Sequence, residues 1–349
     1  MVPQADDQEI NDSLPSPSYQ TLLQMINGYW VSQMIHVAAR LGIADLLAAG
    51  PKHINELAET TGMHAPSLFR LLRALASLGV DAEDDQGRFN LTPLAEPLRS
   101  GVPDSVRGWA VFTGDAQAWR AWEELFYSVK TGKTAFPHVW GQQNWEYRAQ
   151  NPEANDIFNE AMTSASYRRI GPVMAAYDFS GIHTLVDVGG GHGAFIATIL
   201  RRNPAMQGIL FDLPHVAAGA ALALQEAGVA SRCTVVAGSF MDEIPGGGDA
   251  YLLSKVIHDW DDDQSITILK NCRQAMQTHS KLLLVEAVIP PGNTPHIGKL
   301  TYINMLVINA GGRERTEDEF RTLLNVSGFS LNRIVPTPGE VSVIEGVSI

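Results

Sequence analysis

From Tyr19 to Leu47 apolar residues recur every third or fourth position: Leu22, Leu23, Ile26, Trp30, Met34, Val37, Ala38 and Leu41. That spacing places them on one helical face, and Gly42 interrupts the run. INELAETTGMHAPSLFRLLRALASLGV then reads as a helix, a turn at Gly62 and a second helix carrying Leu68, Leu71, Leu72, Leu75 and Leu78. A short acidic hairpin, DAEDDQGRFNLTPLA, follows, and the order spells a winged helix. Residues 105–178 stay helical and carry Trp109, Phe112, Trp119, Trp122, Phe126, Tyr127, Trp140, Trp145 and Phe158, expected mostly in the core. After Gly181 the texture changes. HTLVDV, GILFDL, CTVVAG, DAYLLS and KLLLVEAV are short β-rich runs between helical stretches, and LNRIVP with VSVIEGV reads as a closing hairpin. The fold class is therefore α/β, a doubly wound, mostly parallel sheet behind an all-helical and winged-helix region. The boundaries drawn are a flexible arm over 1–18, the winged helix over 19–104, a helical linker lining the cleft over 105–178, and a Rossmann-like domain over 179–349.

Composition narrows the partners. The 349 residues hold 25 Lys and Arg against 38 Asp and Glu, a net charge of −13. Such a chain repels nucleic-acid phosphates and anionic lipid. The hairpin makes the same point with Asp81, Glu83, Asp84 and Asp85, where a DNA-reading wing wants Lys or Arg. The winged helix is better read as a dimerisation or packing module. Cys233 and Cys272 lie far apart without metal-type spacing, and a reduced, cytoplasmic protein is expected. No apolar run is long enough to span a membrane, and the polar start lacks the layout of a signal peptide.

LVDVGGGHGAF, residues 185–195, is a strand, a glycine turn and a helix. Gly189, Gly191 and Gly193 permit positive φ and let a ligand approach the backbone. Asp212 ends the next strand, where an acid can take two ribose hydroxyls. Gly189-x-Gly191-x-x-Ala194 also fits the dinucleotide fingerprint, so spacing alone leaves a nicotinamide cofactor open, as it does a tight turn with no ligand. Asp187 argues for a cationic ligand, because a carboxylate before the glycines opposes a pyrophosphate and suits the sulfonium and ammonium of S-adenosylmethionine.

LVDVGGGHGAF, FDLPHV, GSFMDEIP, HDWDDD and GGRERT, in that order, resemble the S-adenosylmethionine-dependent O-methyltransferases of the caffeic acid and acetylserotonin type. The resemblance runs from about Tyr19 to the end and implies a homodimer joined through the N-terminal domain. It implies that Asp187, Gly189, Gly191, Asp212 and Leu213 hold the cofactor, with Trp260 near it. Family members often have an Asp and an apolar residue at the adenine; here Ser239 and Phe240 stand there, a hydroxyl and a stacking face. Ser254 occupies a position where many plant members have Lys.

The resemblance makes His258 the catalytic base, flanked by Glu286 and Glu314. The chemistry supports that trio. A phenol, with a pKa of about 10, is a poor nucleophile until a base takes its proton. A neutral imidazole can do so, and a carboxylate on its other nitrogen fixes the tautomer. Asp259 is read as a holder of a backbone N–H or a cofactor atom, and Asp261, Asp262 and Asp263 as first-turn acids of the next helix. No metal is required.

The acceptor pocket implied by the family draws on Phe158, Met162, Met305, Ile308 and Asn309, with Trp109 and Phe112 as lesser candidates. Phe and Met can sandwich a flat ring, and an Asn can orient a ring substituent. Ala165, Tyr302 and Ser254 depart from the plant pattern and favour the bacterial natural-product branch. The expected activity is methyl transfer from S-adenosylmethionine to the hydroxyl of a small aromatic acceptor, leaving S-adenosylhomocysteine. N- or C-methylation on the same fold and a non-catalytic cofactor-binding regulator are the alternatives.

Overall fold

A computed structural model describes residues 17–102 and 104–349. Helices α1 (Pro17–Arg40) and α2 (Ile43–Ala48) lead into strand β1 (Lys52–His53), helices α3 (Ile54–Thr61) and α4 (Ala65–Ser77), and strands β2 (Asp81–Glu83) and β3 (Arg88–Leu91). The three strands pair in the order β1-β3-β2, which with α3 and α4 gives the expected helix–turn–helix and wing. Leu68, Leu72 and Leu75 point into its core beside Leu57 and Phe89, while Leu78 at the helix end is exposed. The arm expected over 1–18 lies outside the described residues up to position 16, and Pro17 and Ser18 belong to α1. The C-terminal end of α1 buries Ala38 and Ala39, whereas Leu22, Leu23, Met25, Ile26, Tyr29 and Trp30 stand exposed along its first half.

Six helices follow: α5 (Arg107–Gly114), α6 (Ala116–Glu123), α7 (Leu125–Thr131), α8 (Ala135–Trp140), α9 (Asn144–Gln150) and α10 (Pro152–Ala176). The aromatics expected in the core divide here. Phe112 is buried, but Phe126 is 78 % exposed, and Trp122 and Trp145 face solvent in part. Helical spacing alone does not say which helix face is covered.

The α/β part consists of β4 (Thr184–Val188), α11 (Ala194–Arg202), β5 (Gln207–Asp212), α12 (Pro214–Glu226), β6 (Cys233–Ala237), β7 (Ala250–Ser254), α13 (Asp262–Ala275), β8 (Lys281–Glu286), α14 (Gly298–Ile308), α15 (Glu317–Val326), β9 (Phe329–Pro336) and β10 (Ser342–Ser348). The sheet order is β6-β5-β4-β7-β8-β10-β9. Strands β4 to β8 pair in parallel, and β10 runs antiparallel to both β8 and β9. Alternate side chains feed two cores: Leu185, Leu252 and Leu283 on one face, Val186, Leu253 and Leu284 on the other. With both faces covered, the strands are continuously apolar. Parallel pairing brings the C-terminal ends of β4, β5, β7 and β8 to one edge, and the chain reverses direction of travel beside β4. That switch point is where such sheets hold ligands.

DAYLLSKVI reads as an apolar strand-like run up to His258, but β7 stops at Ser254. Lys255 has φ 56, the sole positive value of a non-glycine residue among the described residues. The left-handed kink throws Ile257–Asp259 into a single 3₁₀ turn, so His258 sits on a turn across the strand ends.

Candidate active site

The glycine turn behaves as its sequence suggests. Gly189, Gly191 and Gly193 have φ of 69, 61 and 83. A Cβ at Gly189 would lie 2.9 Å from Val256 Cγ2, so this glycine lets the turn pack against the kink after β7. A Cβ at Gly191 would meet open space, the side from which a ligand can approach. Gly191 N–H donates to Asp212 Oδ2 at 2.8 Å, and Leu213 N–H to Oδ1 at 2.7 Å. Asp187 is buried beneath the turn with Oδ2 lacking any partner. Burial, then the neighbouring Asp212, push its carboxyl up to about 7. A buried carboxyl without a cation beneath a turn open at Gly191 fits a positively charged cofactor. Phe240 lies edge-on to Trp260 at 5.8 Å, with Gly189 between it and Val256. Ser239 Oγ accepts from Met241 N–H at 3.2 Å, so its first duty is to its own turn. Ser254 Oγ is buried without a partner at the end of β7.

Around His258 the three expected residues come together, with unequal parts. His258 Nδ1 lies 3.0 Å from Glu314 Oε1. Burial works to raise the Glu314 pKa, but the Lys255 ammonium and His258 outweigh it and hold the carboxyl at about 2. An ionised carboxylate only accepts, so Nδ1 must carry the proton and Nε2 presents its lone pair. Nε2 is 3.5 Å from Asp259 Oδ1, too long for a strong hydrogen bond, and that contact becomes an ion pair when the imidazole is protonated. Burial and the Lys255 charge push the imidazole pKa down, Asp259 and Glu314 push it up, and the net shift is upward.

Glu286 does not orient the imidazole. Its Oε1 accepts from the N–H groups of Val256 and Ile257 at 3.1 and 2.9 Å, which fixes the backbone of the kink. Burial raises its pKa against the pull of His258 and Lys255. Lys255, absent from the expected set, lies 2.6 Å from Glu314 Oε1 and 3.8 Å from Glu286 Oε2. His258, Glu286 and Glu314 have donor atoms close enough to surround a metal. An ammonium already stands among them, and a divalent ion would have to displace it.

The acids after the base also divide. Asp261 caps α13, accepting from Gln264 N–H at 2.8 Å. Asp262 instead pairs with Arg313 at 2.9 Å and Arg315 at 2.8 Å. Arg315 is fully buried, and its guanidinium also donates to the carbonyls of Ile257 and Trp260, clamping the turn that carries His258. A Cβ at Gly312 would lie 3.0 Å from the His258 carbonyl oxygen, so a glycine is needed where GGRERT crosses HDW.

On the acceptor side, Phe158 and Met162 pack with Trp109 and Phe112. Ile308 departs from expectation and packs with Ala121, Ala135 and Phe136 in a separate cluster. Asn309 is bonded to two protein side chains. Its oxygen accepts from Asn144 Nδ2 at 2.7 Å, and its amide donates to Asp259 Oδ1 at 2.5 Å. Met305 is buried one turn earlier, its sulfur 3.8 Å from the same amide. Asp259 is thus held by a side chain, and α9 and α14 are tied to the His258 turn through it. Asn144, Lys255 and Arg315 were missed in the sequence because nothing local marks them as partners of His258.

Comparison with known proteins places this geometry. Residues 122–330 match the model of the O-methyltransferase domain, and residues 23–100 match the O-methyltransferase dimerisation domain. The phenazine O-methyltransferase PhzM of Lysobacter antibioticus is 50 % identical over 94 % of this chain and 96 % of its own. The mitomycin biosynthesis 6-O-methyltransferase of Streptomyces lavendulae is 39 % identical over 93 % of each. The crystal structure of LaPhzM superposes with a TM-score of 0.92 at 49 % identity, covering 96 % of this chain and 100 % of its own. Winged helix, parallel sheet, glycine turn and the His258 turn occur together, and the chain belongs to the O-methyltransferase family.

Proposed function

We propose that this protein transfers the methyl group of S-adenosylmethionine to a hydroxyl of a small aromatic acceptor, with His258 as general base. The observation that carries this reading is the His258–Glu314 contact at 3.0 Å, which favours the tautomer with Nε2 free to accept a proton. Relatives named for phenazine, mitomycin and 3-amino-4-hydroxybenzoate methylation support an aromatic acceptor.

When bound, S-adenosylmethionine supplies a methyl group made electrophilic by its sulfonium. The residues around the glycine turn suit the rest of that molecule. Asp212 offers carboxylate oxygens to the ribose, Leu213 and Phe240 offer apolar faces to the adenine, and Asp187 lies beneath the cationic end. Arg169, buried with Nε unpartnered, offers a cation to a carboxylate. His258 Nε2 takes the acceptor's proton as its oxygen becomes nucleophilic. Glu314 stabilises the resulting imidazolium, and Lys255 keeps Glu314 ionised. Glu286 and Arg315 hold the turn still, so the proton acceptor needs little reorganisation.

The exposed apolar face on the first half of α1, most of it within the matched dimerisation region, supports a homodimer formed through the N-terminal part. No helix among the described residues is long and apolar enough to cross a membrane.

Two measurements test the reading. Calorimetry should show binding of S-adenosylhomocysteine and none of NAD. A panel of hydroxylated phenazines, naphthols and benzoates with S-adenosylmethionine should give an aryl methyl ether by mass spectrometry and NMR. A relative named as an N,N-dimethyltransferase, 35 % identical, makes a methylated amine the informative contrary product.

A further inference from the structure

We propose that Arg148 forms a subsite for a carboxylate carried by the aromatic acceptor. The inference deepens the function above and rests on it. Arg148 lies on α9 and is only 4 % exposed. Its guanidinium carbon is 3.4 Å from the centre of the Phe158 ring, 5.1 Å from Trp145 and 5.7 Å from Phe112. Aromatic faces compensate a guanidinium above and below its plane. They do nothing for its N–H groups, which lie in the plane. Nε and Nη1 are sealed from solvent and have no hydrogen-bond partner. Among the described residues no carboxylate comes within ion-pair distance. The acid whose charge it feels is Asp259, whose carboxylate is held by Asn309 and faces His258.

A buried, unpaired cation is costly to keep, and arginine is the residue suited to bidentate capture of a carboxylate. Burial lowers its pKa only to about 9, so the charge persists at neutral pH. Its position points to the acceptor rather than the cofactor. Phe158 is a wall of the acceptor side, and Trp145 stacks on Trp260 at 6.4 Å, two residues after the base. Asn144, one helical turn before Arg148, anchors Asn309 and through it Asp259. Arg169, the other buried arginine with a free Nε, feels Glu340 first and then Glu286 and Glu314 instead. Trp145, 36 % exposed, is the part of the aromatic box that faces solvent and offers a way in.

The test uses the full chain saturated with S-adenosylhomocysteine and two matched probe pairs, 3-hydroxy-2-naphthoate with 2-naphthol and 3-hydroxybenzoate with phenol. Calorimetric affinities are measured for the wild type, Arg148→Met and Arg148→Lys. The wild type should favour the carboxylated member of at least one pair by tenfold or more. Arg148→Met should reduce that ratio to within twofold, and Arg148→Lys should keep part of it. Without acceptor, Arg148→Met should melt no lower than wild type, because it removes an unpaired buried charge. The proposal is overturned by a wild type that binds no carboxylated probe preferentially, by a preference that survives Arg148→Met, or by loss of folding in both variants, which would make Arg148 a structural cation. Methylation of 2-naphthol with no carboxylate preference would sink Arg148 alone, whereas absence of S-adenosylhomocysteine binding would sink the function on which it rests.

Discussion

The turn after β4 is one contiguous stretch, residues 189–193, and its backbone does most of the shaping. The turn around His258 is held by Lys255 from its own segment, Glu286 from β8, Asn309 after α14, and Glu314 and Arg315 beyond it. One half of the cleft is a local backbone conformation, and the other is a junction of side chains distant in sequence. Backbone shape tolerates little and is written in glycines. A side-chain junction spreads its job over several residues, each of which tunes the charge or position of one imidazole.

That contrast can be attacked at decreasing amplitude. His258→Ala should lower turnover by about 10²- to 10⁴-fold, the usual contribution of a general base. Its affinity for S-adenosylhomocysteine, measured by calorimetry, should stay within about twofold; a parallel loss would mean that the two halves are not separable. Gly191→Ala forces an L-residue into φ 61 and puts a methyl group on the ligand side of the turn. Cofactor affinity should fall by about tenfold or more, while chemical denaturation shows a stability loss of about 1–2 kcal/mol.

Asp187 supplies a smaller, pH-dependent effect. Its carboxyl is protonated below about 7 in the free protein, and a cationic ligand favours the carboxylate. Binding should therefore release a proton below pH 7, and affinity should fall by up to about tenfold per pH unit as pH drops, with no such loss above it. Proton release seen by calorimetry in buffers of different ionisation enthalpy should vanish in Asp187→Asn. Last is Lys255→Gly, which relieves the left-handed backbone but strips the buried Glu314 carboxylate of its ammonium. Stability should fall by about 3–5 kcal/mol, less whatever the relaxed backbone returns. Because Lys255 pushes the His258 pKa down, the ascending limb of the pH–rate profile should move to higher pH; an unmoved limb would reduce Lys255 to a packing residue.

The same contrast explains what the sequence revealed. The seven strands of the main sheet, the closing hairpin, the winged helix and the glycine turn were legible because each is encoded by local periodicity or by residues that a turn demands. His258 with Glu314 was legible only through the family resemblance, since no spacing relates positions 258 and 314. The kink at Lys255 was not legible, because no glycine marks it; Glu286 holds it by accepting from the two N–H groups that follow. The bonds of Asn309 were not legible for a related reason: a buried amide among polar neighbours bonds to them, and neither Asn144 nor Asp259 is marked by local spacing as its partner. Arg148 lay hidden in a helix whose other aromatics suggested only core.

The central claim is that His258 accepts the acceptor's proton and that Glu314 sets its basicity. It is tested most directly by the pH dependence of kcat/KM for wild type and Glu314→Gln with the best phenolic acceptor. Glu314 and Asp259 raise the His258 pKa above its ordinary value of about 6.5. The wild-type rate should thus climb with pH through an inflection above 6.5. Removing the Glu314 charge should lower that inflection while reducing the plateau rate. A flat profile, or an inflection at the same pH in both proteins, would contradict the account.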